Sequence, residues 1–395
     1  MNKHVFISTC IFSFFLLIHN SIITDFTPRW PYPDHIRVYI SSDVSYYCAS
    51  NVVEDALKEI EENTCFRFEK EYKILIEEGE GINVLWGDIC VSRHIGRRAF
   101  DFPNNILVNY DCCNNYKYIL GLLLQALGLD YEHNRFDRNT FIHINRDDIQ
   151  ANGLKYFNEK DKSFYEVYGT NYDYGSITHG WPTMFVKNNK EAITVIGNHS
   201  KIYQKMIGQK SSVSFNEYKL INYNYCNYTC INNGKPLCKN NGYQHPNYCY
   251  KCQCPYPYQG NTCESIPAKH PRCPEYNIHP NVHENNLNFW NNQKCYTFIQ
   301  GDSDKLILIK IKQAHLTFRD SCGRGESMLE IKYKKDKTLM GLCFCGYVTN
   351  YEIISENSLV IIIYHGTDEA QYAQLTYRIY DKPRIHRDYN IKIGK

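Results

Sequence analysis

Apolar residues fall into three kinds of block along this chain. Ile119, Leu120, Leu122, Leu123, Leu124, Ala126 and Leu127 make a helix apolar on nearly every face, interrupted by one polar residue, Gln125. Such a helix runs through a core. Gly128 is placed to end it, and a charged loop, Asp130 to Arg138, follows. The second kind is one-sided. Val52, Val53, Ala56, Leu57 and Ile60 share a face of a helix over 51–63, which Ser50 or Asn51 can cap. The third is strand-length. Val38 to Ile40, an entry strand from Thr64 to Phe68, Tyr72 to Ile76, Ile82 to Trp86 and Asn105 to Val108 surround the helices. Asp43 to Cys48 reads as a loop and 77–81 as a charged turn. Later, Leu306 to Ile311, Leu316 to Phe318, Leu329 to Tyr333, Tyr347, and Leu359 to Tyr364 supply further strands with turns between them.

The 395 residues predict two or three domains. Lys3 and His4 precede a mostly apolar run from Val5 to Ile18, the pattern of a signal peptide over 1–20 with cleavage near Asn20 or Ser21. The alternative is an uncleaved anchor, for which the run is short. No later run is long enough to span a membrane. Eighteen cysteines behind a signal peptide predict disulfides and a secreted, extracellular protein. Cys10 leaves with the signal, so one of the rest lacks a partner within the chain. Spacing alone leaves the connectivity open. A net charge of +2 gives no case for nucleic acid or a charged membrane surface. Six cysteines crowd 230–263; two separated C-x-x-C pairs, as in a zinc knuckle, are not among them. Asn198 and Asn227 head glycosylation sequons.

Tyr116 to Arg138 reads YKYILGLLLQALGLDYEHNRFDR. This stretch resembles the zinc motif of the astacin family of secreted metalloendopeptidases, His-Glu-x-x-His-x-x-Gly-x-x-His-Glu followed by an Arg and an Asp-Arg pair. The resemblance puts the three ligand positions at Gly121, Gln125 and Tyr131, and the catalytic glutamate position at Leu122. The scaffold positions Gly128, Glu132, Arg135, Asp137 and Arg138 match. In the family, imidazoles hold zinc with a position open for water, and the glutamate takes the proton of that water. Gly121 has no side chain and Leu122 no proton acceptor. Gln125 is a poor zinc ligand, and Tyr131 would bind only as a phenolate. The expectation is a chain with no hydrolytic zinc site and no other cofactor.

Asn171 to Gly180 resembles the family's methionine turn. Thr178 stands where the methionine is expected, and Gly180 where a tyrosine assists the tetrahedral intermediate. Ser176 and His179 match and read as hydrogen-bonded fold residues; Glu132, Arg135, Asp137 and Arg138 read as scaffold. His94, His133, His143, His179 and His199 are not expected to assemble a replacement metal site. The resemblance further implies disulfides Cys65–Cys226 and Cys90–Cys113, and leftover counting adds Cys48–Cys112. It implies that the strand from Asn105 borders a cleft where an extended peptide can pair. Between residue 20 and Arg29 there is no room for the family's prosegment.

The implied fold class is α+β: a two-lobed zincin-like peptidase domain over 27–226, a small disulfide-rich EGF-like module over 227–264, and a β-sandwich resembling a CUB domain over 273–380. A basic polar tail, 381–395, closes the chain. In the sandwich, Cys273 is expected to pair with Cys295, and Cys322 with Cys343 or Cys345; the odd cysteine is expected there. The implied function is a secreted, catalytically inactive peptidase homologue. Its expected partners are extracellular proteins or matrix, including peptide segments in the residual cleft. The alternative is an active zinc metalloendopeptidase.

Overall fold

In the computed structural model of the chain, residues 20–23, 29–76, 79–98, 102–188, 190–325 and 327–381 are described. Residues 1–19 of the expected signal segment, with Cys10, part of the 77–81 turn and the tail beyond 381 lie outside them. The chain is α+β, with a peptidase-like lobe pair, a small cross-linked unit and a sandwich.

The upper lobe is a five-stranded sheet in the order β3 (Phe68–Glu71), β2 (Ile36–Ile40), β4 (Ile82–Trp86), β6 (Asn104–Val108), β5 (Val91–Ser92). The first four are parallel and β5 closes the row antiparallel. Helices α2 (Val52–Asn63) and α3 (Tyr116–Ala126) pack together beneath it, and their apolar residues share one core with Ile36, Val38, Ile82, Val84, Ile106 and Val108. β1 (Asn20–Ile23) pairs with β8 (Tyr165–Val167), and β7 (Ile142–Ile144) with β9 (Ile193–Val195) in the lower lobe. Helices α4 (Ser200–Gln204) and α5 (Phe215–Tyr225) complete it.

Several expectations need correction. Asp43 to Cys48 is not a loop: Ser41 caps a short helix, α1 (Ser42–Tyr47), by accepting from Val44 N. Tyr72 to Ile76 is not a strand. The backbone N–H and C=O of Leu75 bond instead to the Asn83 side chain (3.0 and 2.9 Å), which substitutes for a ladder. β6 is not an open edge, because β5 covers it through Val91↔Leu107 and Ser92↔Ile106. Leu316 to Phe318 lies past the end of its strand, at His315.

The disulfide Cys65–Cys226 forms, but Cys90 bonds Cys112, not Cys113. Both N–H groups bond back to Asn109 O at the turn into α3. One residue further on, the Cys113 thiol points the other way, to Tyr47 O (3.8 Å), and is in hydrogen-bond contact with the Cys48 thiol. The Cys48–Cys112 pairing therefore fails as well.

Cys230–Cys249, Cys238–Cys252 and Cys254–Cys263 staple the small unit around a two-stranded ribbon, β10 (Tyr243–Gln244) and β11 (Cys252–Gln253). So little chain buries too little apolar surface to hold without cross-links. The sandwich stacks β12 (Asn277–Ile278), β14 (Lys294–Gln300), β19 (Leu359–His365), β16 (Met328–Lys332) and β17 (Leu342–Phe344) on a four-stranded sheet. That second sheet runs β13 (Asn285–Trp290), β20 (Tyr372–Tyr380), β15 (Leu306–His315), β18 (Tyr347–Ile354). Cys273–Cys295 and Cys322–Cys345 form, and Cys343 stays a buried thiol. The sandwich core is continuous with the lower lobe. Cys322 N–H donates to Lys205 O (2.8 Å), and Tyr203 and Tyr333 join hydroxyls (3.2 Å) across the seam.

Candidate functional site

The site is built on α3. Asn115 Oδ1 caps it by accepting from Lys117 N and Tyr118 N, and Trp30 Nε1 ties its last turn through Ala126 O (2.8 Å). Every residue from Ile119 to Ala126 is buried. Gly128 turns the chain out of the helix with φ +109°, a conformation that disfavours any side chain. This brings Tyr131 back over Gln125. The four degenerate positions, Gly121, Leu122, Gln125 and Tyr131, therefore do meet, with Gly180 and Lys210 facing them.

What they enclose is small. The cavity holds about 30 Å³, room for one or two water molecules. β5 is the terminal strand of its sheet among the described residues. The donors do not fit zinc. Gly121 packs on Ile177; the Gln125 amide faces the Tyr131 hydroxyl, and its Oε1 has no partner. Burial drives the Tyr131 phenol above its ordinary range, so it stays neutral and is no anionic ligand. Among the described residues no three His, Cys, Asp or Glu side chains converge as a metal-ligand group.

The two histidines nearest the site have both ring nitrogens engaged. His133 Nδ1 accepts from Gly180 N–H (3.0 Å), and its Nε2 donates to Tyr156 O (3.0 Å). His179 Nδ1 donates to Gly180 O (2.7 Å), and its Nε2 accepts from the Tyr172 hydroxyl (2.7 Å). Burial holds both neutral; the His179 pKa is lowered to about 3 and that of His133 falls well below the usual imidazole value. Neither has a lone pair left to offer a metal.

Ser176 and the Thr178 backbone bond to Glu217. Ser176 Oγ donates to Glu217 Oε1 (2.6 Å), and Thr178 N–H reaches the same oxygen (3.2 Å). Glu217 also closes a capping box with Ser214 at the start of α5. Burial raises its pKa to about 7, against these hydrogen bonds. The Lys210 Nζ donates to Ile177 O and lies 3.4 Å from His179 O, with the Tyr118 ring 5.5 Å away. Burial lowers its pKa to about 8. A cation thus sits beside the cavity, held by backbone carbonyls. Sequence reasoning missed Lys210 and Glu217. The Ser214-x-x-Glu217 spacing is a readable signal for the second; nothing marks the first.

The loop after Gly128 is charged yet buried. Arg135 holds Asp137 with two bonds of 2.9 Å and donates to Thr170 O (3.2 Å). Its approach to Glu132 is longer, 3.4 Å. Glu132 accepts from Asp173 N–H (2.9 Å), and burial lifts its pKa to about 8 against the pull of Arg135. Arg138 donates to His133 O (3.0 Å) and Phe157 O (2.7 Å). Lys160 pairs with Asp130 at 3.0 Å. Asn198 and Asn227 are exposed.

The arrangement offers no base at position 122, no ligand set, and no phenol at position 180.

The sequence profile of the astacin peptidase family matches residues 23–226. The chain is 27% identical over 359 residues to zinc metalloproteinase nas-34 of Caenorhabditis elegans, covering 91% of this chain and 57% of that protein. It is 28% identical over 346 residues to zinc metalloproteinase nas-23 of the same organism, covering 82% and 60%. A third relative, zinc metalloproteinase nas-36 of Haemonchus contortus, is 30% identical over 251 residues, covering 62% and 38%. The matched stretches span at most about three-fifths of these relatives' own lengths.

Proposed function

The chain belongs to the astacin family of peptidases, and from that premise we propose that it is a secreted homologue that has lost hydrolysis and acts by binding extracellular proteins. The observation that carries this is the filled site. Gly121, Leu122, Gln125 and Tyr131 enclose about 30 Å³ and supply neither an anionic nor an imidazole donor. Gly180 removes the remaining catalytic side chain, and His133 and His179 are committed to backbone and to Tyr172.

Three parts divide the work. The domain over 27–226 supplies a rigid body with an edge strand. The unit over 227–264, whose disulfides run first to third, second to fourth and fifth to sixth, is read as EGF-like. The sandwich over 273–380 is read as CUB-like, a binding module. Asn198 and Asn227 are read as glycan sites. Among the described residues no helix is long and apolar enough to cross a membrane.

The second reading is an active zinc metalloendopeptidase, which the names of the relatives favour. Metal analysis of the purified protein, with cleavage of a quenched fluorescent peptide library, separates the two. We expect no stoichiometric zinc and no cleavage. One zinc per chain together with chelator-sensitive cleavage would sink the proposal.

A further inference from the structure

The four-stranded sheet of the sandwich packs one face on the core and turns the other to solvent. Register sets one residue from each strand in a single row near one end of that outer face. Trp290 lies opposite Tyr372, Tyr372 opposite His315, and His315 opposite Tyr347. The rings are neighbours in space: the Trp290 and Tyr372 centroids are 5.5 Å apart, those of Tyr372 and His315 6.1 Å. Trp290 is 45% exposed and Tyr347 65%. Phe318, 73% exposed, sits against Gly346 just ahead of Tyr347 and lengthens the strip. With strands ~4.8 Å apart, a row across four of them runs about 14 Å. That much contiguous aromatic surface marks a contact site more often than chance exposure.

The next outward row, in the same strand order, is Asn288, Gln374, Gln313 and Thr349. Gln313 Nε2 donates to the Tyr347 hydroxyl (3.0 Å). The amides of Asn288 and Gln374 make no hydrogen bond to protein among the described residues. Free donors and acceptors therefore stand beside the rings. Lys310 pairs with Glu352 at 3.1 Å and Lys312 with Glu284 at 3.4 Å, and Arg378, which donates to Ile379 O, lies six residues along its strand from Tyr372, toward the other end of the face. The strip offers no surplus charge to a sulfated chain, an acidic peptide or a phosphate backbone.

We propose that this aromatic row and its flanking amides bind an uncharged pyranose oligosaccharide. The apolar faces of the sugar rings cover the aromatic side chains, and the sugar hydroxyls exchange hydrogen bonds with the amides. Length sets the ligand as a short chain rather than one sugar. A proline-rich segment also uses aromatic side chains, but it docks in a groove between them. Here the strip crosses the outer face of a sheet. The site is remote from α3 and stands whether or not the peptidase site is dead.

The test titrates the secreted full chain with beta-linked tetrasaccharides of glucose, N-acetylglucosamine and mannose, with a heparin tetrasaccharide and a polyproline peptide alongside. Calorimetry and tryptophan fluorescence give the readout. The expected result is saturable binding of at least one neutral tetrasaccharide, insensitive to salt. Trp290→Ala and Tyr372→Ala should each weaken it tenfold or more, and Asn288→Ala plus Gln374→Ala should weaken it at least threefold. Tyr46→Ala, at an exposed tyrosine of the upper lobe, should change it less than twofold. Unchanged melting temperatures establish that the variants fold. Failure of all three neutral tetrasaccharides overturns the proposal, as does binding confined to heparin or polyproline, or binding that Trp290→Ala leaves intact.

Discussion

Replacing Gly180 by alanine is expected to destabilise the chain by about 2–4 kcal/mol, a large effect for one methyl group. A Cβ built at Gly180 meets His133 Cε1 at 2.8 Å, His133 Nδ1 at 2.9 Å and Met184 Sδ at 2.9 Å. Carbon contacts ordinarily settle near ~3.5–4.0 Å. Met184 can yield; the His133 ring is pinned at both nitrogens and cannot turn without breaking a bond. Overpacking of this kind costs about 1–3 kcal/mol, and stretching the Gly180–His133 hydrogen bond adds about 1 kcal/mol. His133→Ala alone should cost about 3–5 kcal/mol for the lost ring. In the double variant the new methyl occupies space the imidazole left. The Gly180→Ala step should then cost less than about 0.5 kcal/mol, a coupling of roughly 1.5–4 kcal/mol. Urea unfolding midpoints of the four proteins, with unchanged m-values, measure this. A Gly180→Ala variant within about 0.5 kcal/mol of the parent, or additive single effects, would refute the reasoning. The same contact bears on function. A tyrosine restored at 180 starts from the same Cβ, so the catalytic phenol cannot return unless His133 moves.

Three further outcomes are expected. Cys48 and Cys113 should be found joined in protein secreted under oxidising conditions, because Tyr47 O–Cys113 and Ala49 N–Asn114 contacts already bracket the two thiols. Such a bridge closes roughly sixty residues and would add up to ~4 kcal/mol; peptide mapping that finds both thiols alkylated in unreduced protein would contradict this. Lys210→Met should lower stability by about 1–3 kcal/mol, since the carbonyls of Ile177 and His179 lose their donor; a neutral result in thermal melts would show that the ammonium is solvated. Acid should act through both His133 and His179, which burial holds below the ordinary 6.5, and for His179 the folded pKa is about 3. At His179 the unfolded chain gains a proton as pH falls below 6.5 while the folded chain refuses it, so stability falls by ~1.4 kcal/mol per pH unit down toward pH 3. Between pH 7 and 4.5 the parent should lose roughly 3 kcal/mol more than His179→Gln. Glu132 and Glu217, with raised folded values, gain stability over part of that range in both proteins, so their terms cancel in the difference. His133 is common to both proteins and cancels likewise, and equal losses in parent and variant would show that His179 does not contribute to acid sensitivity.

The apolar helix was legible because periodicity reports burial directly, and α3 buries every residue from Ile119 to Ala126. The ligand positions were legible only through their spacing in a known motif; nothing in the apolar pattern marks Gly121 or Tyr131. Where sequence reading went astray, the missing information was three-dimensional. The six residues of α1 are too few for periodicity and depend on one serine cap. Cys112 and Cys113 differ by one step of a turn, which sends their thiols to opposite partners. The aromatic row draws Trp290, His315, Tyr347 and Tyr372 from four strands, and only the register aligns them.

Asp130 to Arg138 is the most instructive case, because most of this charged loop is buried. The two halves of the stretch differ in what a substitution costs. A ligand facing a cavity has no protein partner to abandon, so Gly121, Leu122 and Tyr131 can stand in its place, and only Gln125 leaves a buried oxygen unpaired. Arg135 is different: without it, Asp137, Glu132 and Thr170 O all lose a partner inside the protein. Arg138 likewise serves the carbonyls of His133 and Phe157. Removing one side of such a network costs about 3–5 kcal/mol, a large part of the stability of a typical domain. The charged loop can therefore persist on stability alone, whatever stands at the ligand positions. Intact scaffold residues beside an empty ligand set are then evidence of the fold, and they carry no weight for hydrolysis.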